Sequence, residues 1–69
     1  MISYAPFWQT LKDKNISTYI LINEYKLSSS TISRLRNNKG ISTATINDLC
    51  KILNCRVEDI IEYIPEEEL

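Results

Sequence analysis

The sequence predicts an all-α fold, a compact five-helix bundle forming a single domain over residues 1–69. Three observations predict it. Apolar residues recur at i, i+3, i+4, i+7 in three separate stretches: Tyr4, Phe7, Trp8, Leu11; Ile46, Leu49, Cys50, Leu53; and Val57, Ile60, Ile61, Ile64. That spacing lines one face of a helix. One Gly and two Pro in 69 residues leave too little turn chemistry for a barrel or sandwich. A hydrophobic fraction of 43% supplies a core, in a chain near the lower size limit for folding without staples.

The first helix is expected to begin near Ala5 or Pro6, because proline is tolerated in a first turn and Ser3 can cap ahead of it. Its stripe, Tyr4 to Leu11, anchors the core, and Lys12, Asp13 and Lys14 end it in a charged turn. Trp8 belongs to that stripe, so core packing outweighs stacking on a ligand. The second helix is expected from an N-cap at Ser17 to about Tyr25, with Leu21, Ile22 and Tyr25 facing inward. A tight turn leads to the third, over residues 28–37, capped by Ser28. With Ile32 set at zero on a wheel of about 100° per residue, Leu35 and Ser28 fall near it and Ser30, Arg34 and Asn37 point the opposite way. Arg36 falls near the core side and is expected to snorkel, its head reaching out to the backbone of a bound partner instead of reading bases. Ser42 or Thr43 caps a fourth helix, which ends at Asn54. The fifth carries the Val57 stripe opposed by Glu58, Asp59 and Glu62, and Pro65 stops it by pushing the preceding residue out of helical space.

Charge is divided along the chain. Residues 1–56 hold all eight Lys and Arg against Asp13, Glu24 and Asp48, whereas the acidic helix and tail, 57–69, hold the other six carboxylates and no base. The formal net charge of −1 hides that asymmetry. A polyanion would dock on the first part, and the acidic end should face away. No carboxylate stands between Lys26 and Lys39, so the outward face of the third helix offers only hydroxyls, amides and positive charge. Such a face suits phosphates and base edges; capping and solvation of a helix start are the simpler use of its serines.

The chain has no histidine, and Cys50 and Cys55 alone cannot close a metal site, so neither a metal nor a cofactor is expected. Both thiols are expected as small core residues, reduced, which points to the cytoplasm. No leader and no membrane-spanning run is read. Nothing resembles a general base, activated nucleophile or metal constellation, so an enzyme is disfavoured.

The segment Ile16 to Lys39, with LSSSTISRLRNNK as its second helix, resembles without gaps the helix-turn-helix of Cro/C1-type, phage-repressor-like DNA-binding domains. The YAPFWQTL opening, DLCKILNC and EDIIEYIPE extend the likeness to a short subgroup over nearly the whole chain. The resemblance implies a lambda-repressor-like domain, with the helix-turn-helix over 17–38 and helix 28–37 inserted in the major groove of double-stranded DNA. It implies base contacts from Ser29, Ser30 and Arg34, with Ser33 at the flank; Arg34 to guanine is the strongest readout available. It assigns phosphate contacts to Ser17, Thr18, Ser28, Thr31, Asn37, Asn38 and Lys39, with Thr43 added from the fourth helix.

Many relatives carry Gly at the places of Lys26, Asn38 and Asn54. Lys26 would pay roughly 1 kcal/mol in a left-handed conformation, or the turn takes another shape; asparagine tolerates it. The expected function is therefore a sequence-specific transcriptional regulator, a repressor acting by occupancy as a homodimer, with Tyr63 and Ile64 as a dimer contact. The competing expectation is a protein-interaction module on the same fold, an antitoxin-like or anti-repressor partner.

Overall fold

The computed structural model describes residues 1–69 and contains four α-helices and a strand pair. In chain order these are β1 (Ile2–Ser3), α1 (Ala5–Lys14), α2 (Thr18–Asn23), α3 (Ser29–Arg36), α4 (Thr43–Leu53) and β2 (Glu62–Tyr63), with 3₁₀ turns at Val57–Asp59 and Glu66–Glu68. Antiparallel β1 and β2 join the two ends of the chain, Ile2 opposite Tyr63 and Ser3 opposite Glu62. The Met1 amino group donates to the Ile64 carbonyl, and the Ile64 N–H returns to Met1 O at 2.8 Å.

Every helix is fixed at its ends by chemistry local to the sequence. Ser17, Ser28 and Ser42 stand as N-caps in extended backbone, each accepting from the N–H three residues on, at 3.2, 3.2 and 3.1 Å. A serine oxygen there satisfies one of the donors that a helix start leaves open. Ser42, not Thr43, is thus the cap of α4. The first helix differs: Tyr4 occupies the cap position without a side-chain bond, and Ser3 Oγ accepts from Ala5 N–H at 3.1 Å. At the other ends, Asn15 closes α1 and Asn54 closes α4 in the left-handed region. Asn38 takes the same conformation two residues beyond α3.

The core draws on every helix: Tyr4, Phe7 and Leu11 from the first segment, Leu21 from α2, Ile32 and Leu35 from α3, Leu49 and Leu53 from α4, and Ile60 beyond it. Each fully buried aliphatic contributes about 1.5–3 kcal/mol relative to exposure. Cys50 and Cys55 are half-buried at its edge as free thiols, and Ile46 of the α4 stripe is half-buried as well. No buried polar side chain is left without a partner.

Two expectations are corrected. The fifth helix does not form: after the short turn Val57–Asp59 the chain runs extended as β2, so the bundle has four helices and a two-stranded ribbon. A helix from 57 to 64 would hold about two turns, too few to offset nucleation without strong packing. The run Ile60, Ile61, Glu62, Tyr63, Ile64 is rich in residues that favour strands, and Pro65 biases its predecessor toward extended backbone. β1 supplies a partner that local periodicity cannot reveal. Only Ile60 of the stripe is fully buried, while Val57 is 55% exposed.

Tyr25 is the second correction, being 49% exposed instead of inward. The helix α2 ends at Asn23, Lys26 turns the chain at φ 60°, and Leu27 takes the inward place, its N–H bonded to Leu21 O at 3.0 Å. Lys26 therefore adopts the left-handed conformation itself, with Nζ donating to Asn23 O at 3.0 Å.

Candidate functional site

The turn at Lys26 sets α3 after α2 so that Ile32 and Leu35 are buried while Ser29, Ser30, Ser33, Arg34 and Asn37 are exposed. A regular helix of eight residues thus separates an apolar face from a polar one, as its wheel requires. At its start the hydroxyls are linked. Ser28 Oγ lies 3.1 Å from Ser30 Oγ and 2.8 Å from Thr31 Oγ1, besides accepting from Thr31 N–H. Ser28 Oγ thereby uses its one donor and two acceptor sites, whereas Ser30 and Thr31 keep capacity to accept or donate outward.

Towards the end of α3 the polar side chains are held by backbone. Asn37 Nδ2 donates to Ser33 O at 2.9 Å and reaches Ser33 Oγ at 3.3 Å. Arg34 Nε donates to Gly40 O at 2.7 Å, which fixes the base of the guanidinium and leaves its terminal nitrogens without a bond in the chain. The loop that follows is tied to the N-terminal segment. Asn38 Nδ2 donates to Ile2 O at 2.6 Å, and the Tyr4 hydroxyl donates to Lys39 O at 2.6 Å. Lys39 N–H closes on Arg34 O at 2.8 Å. Asn38 is thereby committed through its side-chain donor, whereas the Lys39 ammonium forms no ion pair.

The remaining expected residues stand elsewhere. Ser17 is the cap of α2 and Thr18 its first residue, at the edge of an open cleft of about 480 Å³. Thr43 is the exposed first residue of α4. Tyr63 and Ile64 belong to the β2 end, with Tyr63 exposed and Ile64 half-buried.

Arg36 is the residue whose surroundings the sequence did not give. Its guanidinium carbon lies 5.3 Å from the centre of the Trp8 ring. Trp8 is itself half-buried, set edge-on to Phe7 at 4.9 Å and 77°. Arg36 and Trp8 share the cleft with Lys12, Asn15, Ser17 and Thr18. An arginine near the core side of its wheel, with an aromatic stripe on the first helix, was the available signal; the pairing itself is tertiary.

Electrostatically, the α3 face and the cleft contain no carboxylate, and the molecule's one salt bridge, Arg56 to Glu58 at 3.7 Å, lies outside both. The single group with a displaced pKa is also remote: burial, reinforced by Cys50 and Asp59, pushes the Cys55 thiol up to about 11. No three His, Cys, Asp or Glu side chains cluster as metal ligands, and no helix is long and apolar enough to cross a membrane. The arrangement can hold anions by unpaired cations and hydroxyls, and can present hydrogen-bonding side chains on a narrow convex helix.

The family model of the Cro/C1-type HTH DNA-binding domain matches residues 7–66. The chain is also similar to the crystal structure of the transcriptional regulator VanUg, with 34% identity and a TM-score of 0.83 over 94% of this chain and 87% of that one. No curated protein sequence matches.

Proposed function

Since the chain belongs to the family of Cro/C1-type helix-turn-helix DNA-binding domains, a regulatory family, we propose that it is a sequence-specific transcriptional repressor that inserts α3 into the major groove of double-stranded DNA. The observation that carries this reading is the exposed, carboxylate-free face of α3; in this reading its Ser29, Ser30 and Arg34 meet base edges and Ser33 stands at the flank. The likeness to a protein named as a transcriptional regulator supports the regulatory role.

In this reading Arg34 uses its two terminal nitrogens on a guanine, since Nε is engaged with Gly40. Ser17, Thr18, Ser28, Thr31, Asn37, Lys39 and Thr43 meet phosphates, and Asn38 contributes through its backbone while its amide holds Ile2. Repression follows from occupancy. The protein works in the cytoplasm as a homodimer, because one recognition helix reads few base pairs and a twofold pair reads two half-sites about one helical turn apart. We assign the contact between copies to Tyr63 and Ile64, on the support of Tyr63's exposure beside the β1–β2 ribbon.

Amide chemical-shift mapping tests which surface binds. Adding a mixed-sequence duplex to isotope-labelled protein at low salt is expected to move residues 28–39 and 17–18 and to leave 57–62 in place. Shifts confined to 57–69, or none, would overturn the reading in favour of a protein-binding module.

A further inference from the structure

We infer that Arg36, held on the face of Trp8, is a second phosphate-gripping arm of the DNA interface, and that the cleft beside it seats a backbone phosphate flanking the base pairs read by α3. The inference rests on the DNA-binding reading above and gives the snorkelling Arg36 a site and a partner.

Four observations converge on it. Arg36 is exposed and forms no ion pair, since the only salt bridge joins Arg56 to Glu58. Its guanidinium is nevertheless not free to wander: the ring of Trp8 lies 5.3 Å below it, and that ring is set by its edge contact with the fully buried Phe7. An aromatic face attracts the cation while leaving all its N–H donors, which lie in the guanidinium plane, unspent. The cleft it overlooks, about 480 Å³, is lined also by Lys12, Asn15, Ser17 and Thr18 and by no carboxylate. Two cations, two hydroxyls and an amide around open space with no acid form an anion site, and planar N–H donors match phosphate oxygens in pairs.

The occupant follows from the position. Arg36 points about 160° around α3 from Arg34, towards the start of α2 at Ser17 and Thr18 and the C-terminal half of α1, so an anion in the cleft would lie at the junction of those three segments, beside the two hydroxyls already assigned to phosphate. A phosphodiester of the duplex already engaged by α3 is the polyanion that reaches that junction. Trp8 acts as a positioning residue: it orients Arg36 and touches no DNA. The arrangement also predicts a built-in reporter, because Trp8 is the chain's one tryptophan and its indole would register the guanidinium being drawn toward phosphate.

The test is duplex affinity measured over a series of salt concentrations for the wild type, Arg36→Gln, Arg36→Lys and Trp8→Phe, with circular dichroism establishing that each is folded at the assay temperature. Arg36→Gln is expected to lose affinity several-fold on every sequence alike and to lower the salt slope by roughly 0.9, the value of one released counterion. Arg36→Lys, which keeps the charge, should retain the slope and lose part of the affinity; Trp8→Phe should weaken binding with the slope unchanged. Wild-type tryptophan emission should change on adding duplex, and the change should vanish in Arg36→Gln.

An unaltered slope and affinity in Arg36→Gln would overturn the inference and leave the DNA-binding reading standing, as would a Lys variant indistinguishable from the Gln one. Wild-type protein that binds no duplex at any salt would overturn both.

Discussion

Lys26 turns the chain between α2 and α3 at φ 60°, alone among the four left-handed residues in not being an asparagine. The single glycine, Gly40, does not use that region at all. Asparagine tolerates left-handed backbone because its short polar chain bonds locally, so Asn15, Asn38 and Asn54 carry little strain, whereas Lys26 pays the Cβ penalty. Lys26→Gly should therefore raise the midpoint of urea unfolding, by the equivalent of about 0.5 kcal/mol once the glycine's unfolded-state entropy and the lost bond to Asn23 are set against the relieved strain. A loss of stability would instead make the Lys26 Nζ bond to Asn23 O the element that holds the turn.

Cys55 makes the stability of the fold sensitive to alkaline pH. Its thiol, with a pKa near 11 in the fold against an ordinary 9, keeps its proton where the unfolded chain has lost it. Between those values the native state binds more protons, so stability is fully present below about pH 9 and falls as pH rises toward 11. Denaturation measured along that range should show a flatter alkaline decline for Cys55→Ala than for the wild type, although the variant starts less stable. Equal slopes would mean that the thiol titrates as freely in the fold as outside it.

Among the elements, the three serine caps and the asparagine stops were legible because capping is settled within four residues of sequence, and Ser17, Ser28 and Ser42 each bond the N–H three positions on. The segment after α4 was not legible, since its spacing fits a helix and its partner strand lies some sixty residues away at the N-terminus. Thr10 adds a tie of the same long-range kind, its hydroxyl donating to Asp59 O at 2.8 Å. The two architectures differ in what they bury. A helical stripe would use Val57 and Ile60 alike, while the observed turn buries Ile60 fully and leaves Val57 exposed. Ile60→Ala should cost about 2–5 kcal/mol in denaturant unfolding, as a large-to-small change in a packed core does, and Val57→Ala within about 0.5 kcal/mol. Comparable losses at both sites would restore the helix.

For the molecule as a whole, the sign of the charge matters less than where it lies. The carboxylates of the last thirteen residues make the total negative, yet α3 and the cleft beside it hold none. The α3 side of the candidate interface was readable from the sequence because a wheel separates Ile32 and Leu35 from Ser30, Arg34 and Asn37 with no tertiary knowledge. The engagement of Asn38 by Ile2 and of Arg36 by Trp8 was not, because each joins segments that meet only in the fold, and that of Arg34 by Gly40 depends on the shape of the loop after α3. These ties matter for recognition. They fix side chains before a partner arrives and so lower the ordering cost of binding.

Base reading by α3 in a twofold pair is tested by selection of bound duplexes from a randomised double-stranded library at near-physiological salt, followed by sequencing. The expected result is an enriched inverted repeat with half-sites about one helical turn apart, and a relaxed preference at one guanine of each half-site when Arg34→Lys is put through the same selection. No enrichment, with duplex bound only at low salt, would contradict it and reduce the basic face to unspecific attraction.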